Sequence, residues 1–195
     1  MTGKRKTIFI SGSAYEYGHF GDTGKDFIRD LSKRLLKNNF RLISGFGAGV
    51  GNYIIEGAME IAYLEKQEKI TDQLLVFPFP ANHHESDMAG LKNIYREEMI
   101  TKAESAIFLF GNKLEEISIR EADGMLHEFE IASAAHLQLV PVGACGYISE
   151  KLWKKLIGHY DDYFDSREKY NLYQQLGDTA IDPDTLIDLI IRIIE

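Results

Sequence analysis

Short apolar runs alternate with longer amphipathic segments between residues 7 and 142 of this chain. The apolar runs are four to six residues long and nearly continuous, as in strands that helices cover on both faces. They occupy residues 7–10, 41–44, 74–78, 105–110 and 137–142. The intervening segments have apolar residues at helical spacing and predict helices over 23–38, 52–66, 91–103 and 123–135. This alternation is typical of βαβ units, so the sequence predicts an α/β, Rossmann-like three-layer fold with a mostly parallel sheet flanked by helices.

After residue 143 the pattern changes to helices without strands. Trp153, Leu156 and Ile157 form one apolar stripe, and Asp182-Pro183 predicts the start of an amphipathic last helix. The segment 160–175 has no clear period, which leaves its structure open. We find no repeat or linker, and 195 residues can bury one substantial core, so we expect a single domain over 1–195. The last helix and the Trp153 region are candidate surfaces for a homodimer.

Composition limits the partners that this chain is expected to have. The net charge of −8 argues against general binding to nucleic acid or to anionic membranes. Cys145 is the sole cysteine, so no intrachain disulfide can form, which fits a reducing compartment. No apolar stretch approaches the length of a membrane span, and the basic start leads into too few apolar residues for a signal peptide. We therefore expect a cytoplasmic protein.

Two predicted strands are each followed directly by a glycine-containing turn. Ser11-Gly12-Ser13 follows the first strand, where serine hydroxyls and backbone N–H groups can meet a phosphate. An ordinary turn is the alternative. Gly45, Phe46, Gly47 and Gly49 follow the second strand within a run of four glycines that ends at Gly51. Such a run favours close approach to a phosphate or sugar over a tight packing turn, and Phe46 is placed to stack on a base.

Three charged residues follow later in the chain. Lys113 comes after the fourth strand, at the edge where open α/β sheets bind ligands. Arg96 and Glu128 lie in predicted helices, where a solvated surface arginine and a carboxylate at a helix start are the alternatives to a ligand contact. A cation and a carboxylate in these places suit the phosphates and hydroxyls of a nucleotide.

Neither a metal site nor a catalytic triad is predicted. His83 and His84, with Glu85 and Asp87, lack the spacing of a known metal site and indicate a polar loop. No arrangement of serine, histidine and aspartate stands out. We therefore assign no catalytic residue, metal or cofactor from the residues alone.

The order of these motifs resembles the SLOG (LOG/Smf/DprA-like) superfamily. The motifs are Ile-Phe-Ile-Ser-Gly-Ser, Leu-Ile-Ser-Gly-Phe-Gly-Ala-Gly, Ile-Tyr-Arg-Glu-Glu-Met, Ala-Ile-Phe-Leu-Phe-Gly and Gly124-Met-Leu-His-Glu128. The lonely-guy phosphoribohydrolases of this superfamily cleave the base from a nucleoside monophosphate. One motif supplies an arginine for this reaction, and a Pro-Gly-Gly-x-Gly-Thr-x-x-Glu motif supplies a glutamate. Arg96 and Glu128 match these motifs. However, Phe110-Gly-Asn-Lys113 replaces the Pro-Gly-Gly portion, and residues 113–123 lengthen the loop before Gly124.

The whole chain is more similar to the SLOG sensor domains of Thoeris anti-phage effectors. That resemblance implies binding of a cyclic ADP-ribose isomer, made by a TIR-domain protein, which activates an N-terminal sirtuin-like NAD hydrolase domain. The hydrolase domain is not expected within residues 1–195. The expected ligand-binding residues are Ser11, Gly12, Ser13, Gly45, Phe46, Gly47, Gly49, Arg96, Lys113 and Glu128. A sensor without chemistry of its own is the first hypothesis, and a nucleoside monophosphate phosphoribohydrolase is the second.

Overall fold

The structure, a computed structural model, contains a parallel sheet and a separate hairpin. It describes residues 5–64, 69–78 and 85–195, for 85–89 the backbone alone. The strands are β1 (Thr7–Ser13), β2 (Arg41–Ser44), β3 (Leu74–Val76), β4 (Ser105–Phe110), β5 (Asn112–Glu115), β6 (Ser118–Glu121) and β7 (Gln138–Pro141). Five of them form one parallel sheet in the order β3-β2-β1-β4-β7, whereas β5 and β6 pair antiparallel. The predicted parallel sheet is confirmed.

Helices cover both faces of the sheet. They are α1 (Gly24–Lys37), α2 (Gly51–Leu64), α3 (Ile70–Gln73), α4 (Glu85–Ile100), α5 (Asp123–Ala134), α6 (Tyr147–Gly158), α7 (Tyr160–Tyr163), α8 (Arg167–Gln175) and α9 (Pro183–Ile194). Because βαβ connections are right-handed, α1 and α2 lie on one face and α4 and α5 on the other. Contacts between α1 and α2 and between α4 and α5 agree with this division. The three-layer α/β prediction is therefore confirmed.

The central strands are apolar because both faces are covered. All six residues of β4 are buried, and β1 is buried from Thr7 to Ser11. In α1, the predicted apolar stripe of Phe27, Leu31 and Leu35 is buried in the core. The sheet is thus held between two apolar helix layers, and its polar residues lie at the strand ends.

The last helix is buried against its own chain. Its predicted N-cap is confirmed, because the Asp182 carboxylate accepts the Thr185 N–H at 3.0 Å. Its apolar residues from Leu186 to Ile194 are buried, and α9 contacts α1, α8 and β7. The Trp153 indole packs on glycines and donates its N–H to a backbone carbonyl of α8 at 2.7 Å. The apolar side of α9 is therefore covered by its own chain, and the homodimer considered from the sequence stays a prediction.

Several boundaries differ from the sequence predictions. The third strand ends at Val76, and the helix expected over 91–103 begins at Glu85 and ends at Ile100. The open segment 160–175 forms α7 and α8. His83 and His84 lie outside the described residues. Within the described residues, no group of three or more potential metal-binding side chains occurs, and no helix has the length and apolar character to cross a bilayer.

Candidate functional site

A cavity lies at the carboxyl ends of β1 and β2, where the loops after two neighbouring parallel strands meet. This is the edge at which open α/β sheets bind ligands. The cavity has a volume of about 260 Å³. Its lining residues are Ile10, Ser11, Gly12, Gly45, Phe46, Gly47, Ala48 and Glu128. Six residues that the sequence placed in a ligand site therefore surround one cavity.

Glycine lets the two loops touch through their backbones. A Cβ atom on Gly47 would lie 1.9 Å from the carbonyl oxygen of Gly12. Gly49 has a φ of +72°, and a Cβ there would lie 1.8 Å from the Ala14 carbonyl oxygen. The Ala14 N–H also donates to the Ala48 carbonyl at 2.8 Å. The packing-turn explanation therefore holds for Gly47 and Gly49, and the same contact builds a wall of the cavity.

Phe46 presents an aromatic ring beside the cavity from an unfavourable backbone conformation. Its φ is +58°, a region that costs an L-residue roughly 1–2 kcal/mol. Its N–H donates to the Ser44 hydroxyl at 3.2 Å, and 41% of its surface is exposed. Residues held in such sparsely populated backbone conformations cluster at functional sites. Phe46 is thus positioned to stack on a flat ligand group.

The Glu128 carboxyl lies between two polar side chains. The Ser11 hydroxyl donates to Oε2 at 2.6 Å, and the Arg96 Nε–H donates to Oε1 at 3.4 Å. Only 12% of the Glu128 side chain and 14% of the Arg96 side chain are exposed. Burial raises the pKa of Glu128 above its ordinary value, while the Ser11 hydrogen bond and the Arg96 charge oppose that rise. This group can accept hydrogen bonds from ligand hydroxyls or exchange a proton.

Four predicted site residues do not line the cavity: Ser13, Gly49, Arg96 and Lys113. Arg96 contacts it only through Glu128. The Ser13 hydroxyl oxygen is buried and has no hydrogen-bond partner in the described part of the chain. Lys113 lies on β5, with 42% of its side chain exposed, and its ammonium is 3.6 Å from the Glu115 carboxylate. Their predicted roles in ligand binding, like those of the other site residues, stay predictions.

The sequence analysis did not foresee the β5–β6 hairpin or its anchor. The lengthened loop between Asn112 and Gly124 forms this hairpin. Asn112 is fully buried, and its side-chain oxygen accepts the N–H groups of Tyr15 at 2.9 Å and Glu16 at 3.1 Å. Its side-chain nitrogen donates to the Glu16 carbonyl at 2.9 Å. In the sequence, the feature that could have indicated this anchor is the polar residue Asn112, which closely follows the buried fourth strand.

The fold and the cavity together define a Rossmann-like α/β protein with a polar ligand-type cavity at the carboxyl edge of its sheet. The chain belongs to the Sir2- and TIR-associating SLOG family, STALD, whose family model matches residues 2–195. This finding confirms the family resemblance on which the expected site was based.

Curated relatives agree with that membership. The chain is 37% identical over 196 residues to the NAD(+) hydrolase ThsA of Bacillus cereus (strain MSX-D12), with 98% of the chain covered. It is 36% identical to the proteins of the same name from Cytobacillus dafuensis and Enterococcus faecium, with 97% covered in each case. The chain spans about 40% of the length of these relatives.

A solved structure shares the fold at low sequence identity. The X-ray structure of TM1055, a Northeast Structural Genomics Consortium target, aligns with a TM-score of 0.57 and 13% identity. The alignment covers 85% of this chain and 88% of that one. The likeness supports the architecture of the sheet and helices.

Proposed function

We propose that this chain is the ligand-sensing domain of a Thoeris-type anti-phage effector. In this proposal it binds a cyclic ADP-ribose isomer made by a TIR-domain protein and thereby activates an attached sirtuin-like NAD hydrolase domain. The STALD family and the ThsA relatives, of which the chain spans about 40%, support that arrangement. The observation that carries the proposal is the cavity between the glycine turns, where Ser11 and Arg96 both contact Glu128.

Each polar group of the site suits one part of such a ligand. The Arg96 guanidinium matches a diphosphate in charge and fork geometry, and Lys113 adds a second positive charge. Glu128 accepts hydrogen bonds from ribose hydroxyls, and Phe46 stacks on the adenine. Backbone N–H groups of Ser11–Ser13 and of the glycine turn meet the phosphate oxygens.

The volume of the cavity limits how much of the ligand the cavity can enclose. Pockets that enclose a drug-sized ligand usually have about 300–1,000 Å³. The cavity, at about 260 Å³, is smaller than this range. It therefore encloses one part of a cyclic ADP-ribose isomer, such as a ribose with its phosphate, while the base lies over the exposed ring of Phe46.

Thermal unfolding with a nucleotide panel tests the proposal. The panel contains cyclic ADP-ribose isomers, ADP-ribose, NAD and AMP, and each mixture is analysed afterwards for released base. A ligand at one hundred times its Kd adds about 2.7 kcal/mol, which raises Tm by roughly 5–10 °C for a chain of this size. We expect one cyclic isomer to give this rise without turnover. An unchanged Tm with every nucleotide contradicts the proposal and favours a domain whose glycines serve packing alone.

A phosphoribohydrolase is the second candidate, because Glu128 has a raised pKa and a fixed orientation. Such a carboxyl is suited to general acid or base catalysis. The hairpin β5–β6, in place of the short glycine loop of those enzymes, favours the sensor. Release of adenine from AMP by the wild-type chain, lost in Glu128→Gln, would replace the sensor proposal with this one.

A further inference from the structure

Gly124 lies directly beneath the guanidinium of Arg96. A Cβ atom on Gly124 would be 2.8 Å from Arg96 Nη2 and 3.8 Å from Cζ. Folded proteins essentially never contain a Cβ contact as short as 2.8 Å. The guanidinium therefore occupies the space that any side chain at position 124 would need.

The same guanidinium also reaches Glu128, one helical turn further along α5. Positions four residues apart lie on the same side of a helix, so Gly124 and Glu128 face Arg96 together. Arg96 Nε contacts the Glu128 carboxylate at 3.4 Å while Nη2 lies over Gly124. The guanidinium thus lies against the first turn of α5, with Nε toward Glu128 and Nη2 over Gly124.

We infer that Gly124 is a positioning residue for ligand binding, because its missing side chain lets Arg96 lie beside Glu128, which lines the cavity, where the guanidinium can meet a phosphate. The identity of the ligand in this inference rests on the proposed function. The packing of Arg96 on Gly124 rests only on the distances given above. Charge-assisted hydrogen bonds have donor–acceptor distances of about 2.7–2.9 Å, so a displaced guanidinium loses them readily.

The backbone at Gly124 does not itself require glycine. The residue lies within α5, and its φ is outside the left-handed region. Alanine is a better helix former than glycine, so Gly124→Ala is expected to keep or raise Tm. The atom that must move belongs to the far end of a flexible side chain. Ligand affinity is thus expected to fall without a fall in Tm, which a merely structural role for Gly124 would not produce.

Gly124→Ala and a matched control separate these effects. Gly158, the last residue of α6, has no heavy atom within 4 Å of an added Cβ, so Gly158→Ala is the control. Calorimetric titration with the cyclic ADP-ribose isomers is expected to show affinity about tenfold weaker for Gly124→Ala and unchanged for Gly158→Ala. In an Arg96→Lys background, which has no group in the Nη2 position, Gly124→Ala is expected to cause a much smaller loss. Equal affinities of Gly124→Ala and wild type would overturn the inference.

A ligand-free measurement keeps this inference separate from the proposed function. The Nε–H signal of Arg96 in an NMR spectrum is assigned by its absence from the Arg96→Lys variant. We expect this signal to shift in Gly124→Ala and to stay in place in Gly158→Ala. An unshifted signal in Gly124→Ala overturns the positioning of Arg96, whatever the ligand result. A shifted signal in a chain that binds no nucleotide supports the packing and refutes the ligand role together with the proposed function.

Discussion

At the scale of single residues, Glu128 is the group whose chemistry depends most on its surroundings. Its carboxyl is buried, and its oxygens are contacted by the Ser11 hydroxyl and the Arg96 guanidinium. Burial disfavours the ionised form, whereas both contacts favour it. The net effect is a raised pKa, so desolvation outweighs the two contacts. A ligand that brought further hydrogen-bond donors to Glu128 would lower that pKa again.

The raised pKa of Glu128 predicts a pH dependence of stability. A carboxyl with a higher pKa in the folded than in the unfolded chain stabilises the fold below its unfolded pKa. This contribution is lost as pH rises from about 4.5 through the raised folded value. We therefore expect the Tm of wild type, relative to Glu128→Gln, to increase as pH falls from 7 to about 4. Thermal unfolding across this range measures the difference, and a constant or decreasing difference would contradict the assignment.

At the scale of elements, the contact between the end of β1 and the turn after β2 determines the shape of the cavity. The Gly12 carbonyl and Gly47 belong to backbones that cannot move apart without opening this contact. Gly47→Ala is therefore expected to destabilise the fold by about 1–3 kcal/mol. Urea unfolding measures this loss, with Gly90→Ala as the control because an added Cβ there meets no atom within 4 Å. Equal stability of the two variants would show that the contact opens without cost.

The hairpin is attached to the rest of the fold through Asn112. Asn112→Ala leaves the N–H groups of Tyr15 and Glu16 without their side-chain acceptor, which costs about 1–3 kcal/mol for a buried group. We expect faster hydrogen exchange of these two amides, measured by NMR, and no change in the exposed control Asn171→Ala. Exchange at the wild-type rate in Asn112→Ala would mean that another contact holds the loop.

The sequence predicted the sheet and its helices well because each central strand is a buried apolar run. It could not reveal β5 and β6, since these strands are four residues long, largely exposed and mostly polar. The segment 160–175 was equally unclear, because packing against α6 and α9, including the hydrogen bond from the Trp153 indole to the Tyr173 carbonyl, holds it in place. Similarly, the Ser11–Glu128 hydrogen bond joins residues 117 positions apart and follows from the sheet order. The sequence analysis placed both residues in one expected site but did not foresee the hydrogen bond between them.

At the scale of the whole molecule, the site is shared between two layers. The end of β1 and the turn after β2 supply Ser11, Phe46 and the glycines, whereas α4 and α5 supply Arg96 and Glu128 from one helix layer. A ligand bound between them would contact the sheet edge and this helix layer together.

The most direct measurement is a paired calorimetric titration of the wild-type chain and its Arg96→Ala variant with the cyclic ADP-ribose isomers. We expect one isomer to bind the wild type at a single site and not to bind Arg96→Ala, because a phosphate loses its buried charged partner. The Tm of the two proteins measured without ligand is the control for folding. Failure of every isomer to bind the wild type, or equal affinity for Arg96→Ala, would contradict the assignment of this cavity as the signal-binding site.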